Sequence, residues 1–229
     1  MKKLTLGLVA AGVMSLSAVA NAQSAFDGAY GQIGIGYQSI SPSSTNGSQT
    51  RSGTTYPRSD SFSNSSDFTG TVTIGYMGTV SNNFLLGIGA EYSPIAGSNT
   101  NITSTGGGLP SGTPQYKFQN GYNIFLSPGL AVDKDKLVYA KVGYTGASTQ
   151  TTFAGSNNPT TNFTGYSLGL GYKQIIQGGL YGFVEGNYFS YGNQTFNSSG
   201  TTVSGLAYTT TTTVNANAYN LLAGIGYKF

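Results

Sequence analysis

Apolar and polar residues alternate with a period of two in eight separate stretches of this chain. The last stretch is the most regular. Tyr219, Leu221, Ala223, Ile225, Tyr227 and Phe229 form one apolar set, while Asn220, Gly224, Gly226 and Lys228, with the exception Leu222, form a small or polar one. A period of two places successive side chains on opposite faces of a strand, so the segment predicts a strand with one greasy face. The same rhythm predicts strands over 29–40, 68–79, 84–94, 116–132, 137–146, 163–174 and 180–191. In the fourth of the eight, Tyr116, Phe118, Tyr122, Ile124 and Leu126 are expected on one face. Pro128 has no amide hydrogen to give a ladder, so either a bulge or a strand end near Ser127 is expected there.

The links between these stretches alternate in length. Short ones surround residues 81–83, 133–136 and 177–179, whereas long Ser/Thr/Asn/Gly-rich ones cover 41–67, 95–115, 147–162 and 192–213. Short turns on one side and long loops on the other are the layout of barrels that cross a membrane. Closure removes the exposed edge that lipid forbids. The expected fold is therefore all-β, an eight-stranded antiparallel up-and-down transmembrane β-barrel. Its outward aromatics sort into two girdles. Tyr37, Phe68, Tyr92, Tyr116, Phe118, Tyr144, Tyr166, Tyr188 and Tyr219 fall near one end; Tyr76, Phe84, Tyr172, Tyr227 and Phe229 fall near the other. Rings at both headgroup levels around an aliphatic belt are the expected pattern.

Composition supports lipid as part of the solvent. Charged residues make up 7% of the chain, against about 25% in ordinary globular domains. No basic patch is present to hold nucleic acid. The first 22 residues open with Lys2 and Lys3, run apolar from Leu4 to Val19 and end in Ala20-Asn21-Ala22, the three-part layout of a cleavable signal peptide. Residues 23–229 are then the barrel domain, exported to the cell outer membrane. There are no cysteines, so stability comes from pairing and packing.

The inward face carries the candidate chemistry. Glycine pairs recur, as in Gly34-Ile35-Gly36-Tyr37, Gly169-Leu170-Gly171-Tyr172 and Gly224-Ile225-Gly226-Tyr227. They lie inside strands, not at a strand-to-helix junction, which argues against nucleotide binding. Instead they make room for large inward side chains such as Met77, Phe125, Tyr139, Tyr181 and Phe183. Glu91, Lys141, Lys173 and Glu185 share the inward parity and form a candidate lumen charge cluster. Charges of both signs in a narrow lumen either plug it with ion pairs or exchange partners as a gate, and spacing leaves both open. No histidine exists in the chain, so the serine–histidine and aspartate–histidine arrangements of hydrolases cannot be assembled. No enzyme activity, no metal and no cofactor is expected.

The terminal run Gly224-Ile225-Gly226-Tyr227-Lys228-Phe229, the leader, and the strand Leu137-Val138-Tyr139-Ala140-Lys141-Val142-Gly143-Tyr144 resemble the outer membrane protein β-barrel family, the small OmpA-, OmpX- and opacity-like proteins of Gram-negative bacteria. The resemblance implies that Gly224, Tyr227 and Phe229 form a C-terminal assembly signal, read by periplasmic chaperones and the barrel-assembly machinery. It implies outer-membrane lipid and lipopolysaccharide as surroundings. The implied role is structural or surface-interacting: envelope integrity, or adhesion to a host-surface ligand through the long loops. The alternative is a narrow porin-like channel for ions or small solutes.

Overall fold

The computed structural model describes residues 24–106, 115–152, 160–201 and 205–229. The expected signal peptide lies outside the described residues. Alternating, β-branched and aromatic-rich segments form ten strands. They are β1 (Gly28–Arg51), β2 (Thr54–Phe62), β3 (Ser65–Ser81), β4 (Phe84–Ser93), β5 (Thr100–Gly106), β6 (Gln115–Asp133), β7 (Lys136–Thr152), β8 (Thr160–Gln177), β9 (Leu180–Thr201) and β10 (Ala207–Lys228). All pair antiparallel in one sheet that returns on itself through the β1–β10 ladder, from Tyr30↔Lys228 up to Arg51↔Tyr208.

Ten strands stand where eight are expected, and the register explains the difference. β2 and β3 both run antiparallel to β1, separated only by residues 63 and 64. They are one descending path with a break. β4 and β5 are likewise one ascending path along β6, interrupted at residues 94–99. Above the two breaks β2 pairs with β5, from Arg58↔Gly106 to Phe62↔Ile102, and carries the wall upward.

The long links are the larger correction. Residues 41–51, 115, 147–152, 160–162, 192–201 and 207–213 are strand, not loop. The 24-residue β1 reaches roughly 80 Å at ~3.3 Å per residue, whereas about 10 residues suffice to cross hydrocarbon. A tall polar tower therefore stands on the apolar part of the wall.

A second correction concerns Tyr116 and Phe118, which point inward and are buried. The β6–β7 register slips by one between Gln119 and Tyr122, where Asn120 takes a positive φ of 54°. One extra residue reverses the parity of everything beyond it. Pro128 causes neither a bulge nor a strand end. It pairs with Leu86 on the β4 side, and the β7 register is the same before it (Leu126↔Val142) and after it (Gly129↔Tyr139).

The wall separates two environments. Outward-pointing aliphatics are bare, with Leu170 69% and Ile74 66% exposed, the reverse of a water-soluble core. Tyr37, Phe68, Tyr92, Tyr144, Tyr166, Tyr188 and Tyr219 are also exposed, at the tower side of this belt. The interior is the packed side.

Candidate functional site: the filled interior

Three strands display the interior as layers. Inward residues on β9 read Tyr181, Phe183, then Glu185, Asn187, then Phe189, Tyr191, all buried. β7 reads Leu137, Tyr139, then Lys141, Thr145, then Ala147; β10 reads Leu222, then Asn220, then Ala218, Ala216 and Val214. A polar layer thus lies between two apolar ones. The lower apolar layer packs Tyr30, Met77, Leu85, Tyr139, Tyr181 and Phe183. Glycines accommodate these rings: a Cβ at Gly226 would overlap Tyr181, one at Gly171 would overlap Tyr139, and one at Gly75 would overlap Tyr30. The upper layer is a second aromatic cluster, with Phe118 edge-on to Tyr116 and tilted against Phe163 and Tyr191 at centroid distances of 5.8 to 6.1 Å.

All four charges of the candidate cluster are at most 5% exposed and face this interior, and the polar layer joins three of them. Lys141 Nζ lies 3.0 Å from Glu91 Oε2 and 2.8 Å from Glu185 Oε1. Further donors reach both carboxylates: Tyr139 donates to Glu185 Oε2 at 2.7 Å, Asn187 Nδ2 to Glu185 Oε1 at 2.7 Å, and Thr73 to Glu91 Oε2 at 3.1 Å. Asn187 also donates to Asn220 Oδ1 at 2.9 Å, and Ser167 to Asn123 Oδ1 at 2.8 Å. Buried ions held this way offset part of their desolvation through mutual attraction and these added hydrogen bonds. Lys173 stands apart, with Nζ 3.9 Å above the ring of Tyr30 and 5.0 Å from those of Tyr139 and Tyr181. Aromatic faces, the surfaces that attract a cation, are the partners nearest its amine. Next to Glu91 a cavity of about 30 Å³, bounded also by Phe118, Thr145 and Phe189, has room for one or two waters.

The sequence reading missed Tyr139, Asn187 and Thr73 as partners of the charges, and Asn220 as the acceptor behind Asn187. Their signal was present, since each shares the inward parity of its strand, but polarity alone does not distinguish a lumen partner from a solvated residue. A further cluster sits in the tower. Arg58 pairs with Asp60 at 2.9 Å, Thr212 donates to Asp60 Oδ2 at 2.7 Å, and Ser104 donates to its Oδ1. Burial raises the Asp60 carboxyl, but the hydrogen bonds from Arg58, Ser104 and Thr212 and the guanidinium charge outweigh it and hold it below the usual range.

The residues of the expected terminal signal lie on both faces of the last strand. Gly224 faces inward beside the Phe183 ring. Tyr227 and Phe229 face outward, edge to face at 5.4 Å. Phe229 N donates to Ala29 O at 2.9 Å and Lys228 N to Gly179 O at 2.8 Å, so this end ties β10 to both sides of the closure.

No protein-family model and no curated protein matches this sequence. Solved structures match it by shape. The outer membrane protein OprG from Pseudomonas aeruginosa aligns with a TM-score of 0.57 at 15% identity, covering 89% of this chain and 96% of that one. The outer membrane protease OmpT from Escherichia coli aligns with a TM-score of 0.50 at 12% identity, covering 93% of this chain and 100% of that one. The chain has the fold of outer-membrane β-barrel proteins. That shared shape accounts for the closed antiparallel ring and for the inversion of apolar residues to its outside.

Proposed function

We propose that the mature chain is an eight-stranded up-and-down transmembrane β-barrel of the cell outer membrane. Its role is structural and surface-interacting, without enzymatic activity. The observation that carries this reading is the interior. Two aromatic layers enclose a layer of paired ions, and the cavity beside Glu91 is about 30 Å³. A hydrated ion path needs continuous polar space, and the apolar layers above and below the ions support the filled reading over it. OmpT is a protease by description; the present chain has no histidine and is proposed to present a surface, not a reaction centre. Envelope integrity and adhesion to a host surface are the roles that a filled barrel with a tall polar tower supports.

Planar-bilayer recording tests the proposal against the narrow-channel alternative. The folded wild type is expected to be nearly silent. Discrete openings that disappear in Glu185→Gln or Lys141→Met would replace it with a channel gated by the lumen charges. Adhesion is tested separately, by binding of cells that display the chain with its tower hairpins cut to short turns.

A further inference from the structure

The outward face of the tower has a regularity that barrel closure does not require. On β10, Thr209, Thr211, Thr213 and Asn215 point outward in succession, while Thr210, Thr212 and Val214 point inward and are buried. β9 continues each row: Thr213 and Thr195 hydroxyls are 3.1 Å apart, Thr211 donates to Asn197 at 2.8 Å, and Asn215 to Asn193 at 3.1 Å. β1 continues them on the other side, with Thr50 opposite Thr209, Ser48 opposite Thr211 and Ser43 opposite Asn215. A further hydroxyl contact, Thr50 to Thr55 at 2.9 Å, extends the top row onto β2. The result is a lattice of hydroxyls and amides repeating about every 4.8 Å across the strands and about every 6.8 Å along them.

We infer that this lattice binds the neutral sugar chains of the glycolipid around the barrel. The inference rests on the membrane placement proposed above. None of the positions forming it carries an ionisable group, so a phosphate-rich, acidic or basic partner finds no counter-charge there. Its rows run over three neighbouring strands, β1, β10 and β9, which suits an extended polymer more than a small molecule. Its donors and acceptors match a polyhydroxylated chain, directly or through bridging water. Its position selects the source. Just below, the outward rings of Tyr219 and Tyr37 lie 6.5 Å apart at the upper edge of the apolar belt, where headgroups meet aromatic residues. The lattice is continuous with that edge and stands in the layer that lipid-linked sugar occupies.

The chain has no cysteine, so single-cysteine labelling reads accessibility without background. Thr211→Cys on the lattice, Thr103→Cys on the outward face of β5 and Val142→Cys in the apolar belt are each compared in two kinds of vesicle. Both contain phosphatidylethanolamine and phosphatidylglycerol; one adds lipopolysaccharide with full sugar chains, the other lipopolysaccharide cut back to its inner core. A water-soluble maleimide is expected to label Thr211→Cys roughly tenfold more slowly with full sugar chains, the factor for about one net hydrogen bond. Thr103→Cys should change little. Adding Thr209→Val and Thr213→Val, which keep shape and strand preference, should abolish the difference. Equal slowing at Thr103 and Thr211 would mean crowding and overturn the inference, as would indifference of Thr211 to the sugar or a difference that survives the valines. Ready labelling of Val142→Cys in both vesicles would instead overturn the membrane placement itself.

Discussion

Lys141 holds two carboxylates at once, so among the described residues it is the side chain whose loss leaves the most charge uncompensated. Lys141→Met keeps an unbranched side chain one atom shorter but strands Glu91 and Glu185 in the packed interior. Such a break costs ~3–5 kcal/mol, read as equilibrium urea unfolding in lipid vesicles. Adding Glu91→Gln and Glu185→Gln should return most of that loss, because the penalty is the orphaned charge more than the missing attraction. A triple variant no better than Lys141→Met would show that the layer is held by something other than ion pairing. Asp60 gives a second test, outside the membrane. Its carboxyl titrates below its ordinary 3.8, so its contribution is fully present above that pH and is lost as pH falls through the depressed folded value. The tower should therefore loosen on acidification below about pH 4, seen as faster amide exchange in β2 and β5. Asp60→Asn should flatten that dependence.

Adjacent positions on β9 and β10 make the two faces of the wall separately testable. Gly226 faces inward against the ring of its partner Tyr181, while Gly182, opposite Ile225, faces outward with Ile176 Cδ1 3.7 Å from where a Cβ would stand. Gly226→Ala should cost ~1–3 kcal/mol by overpacking, and Gly182→Ala should change stability by no more than about 0.5 kcal/mol. Equal effects would mean that the register is wrong. The inward glycines and their large partners were legible because alternation fixes a face once one residue is placed. Bulges were not. The parity of Tyr116 and Phe118 depends on one extra residue at Asn120, and local sequence shows the same alternating aromatics on either side of it. The tower was illegible for a related reason. Ser, Thr, Asn and Gly are read as loop formers, yet threonine favours strands, and runs such as Thr209 to Thr213 are held in place by partners on β1 and β9 that no local window contains.

The whole molecule is a single wall that meets two solvents, and one strand is enough to test where they change. β10 carries Ile225 in the apolar belt and Thr211 in the tower, both outward and both paired on either side. If the belt lies in hydrocarbon, Ile225→Arg should cost ~2–4 kcal/mol near the midplane and Val142→Arg a similar amount. Thr211→Arg, on the same face of the same strand, should cost about 0–1 kcal/mol, as expected beyond the interface. Ring closure makes the comparison clean. β1 and β10 pair from Tyr30↔Lys228 to Arg51↔Tyr208, with one shift between Ser44 and Asn46, so a general weakness of the seam would penalise both substitutions. Only a change of solvent along the strand separates them. Urea unfolding in vesicles that returns equal penalties at Ile225 and Thr211 would remove the membrane from the account.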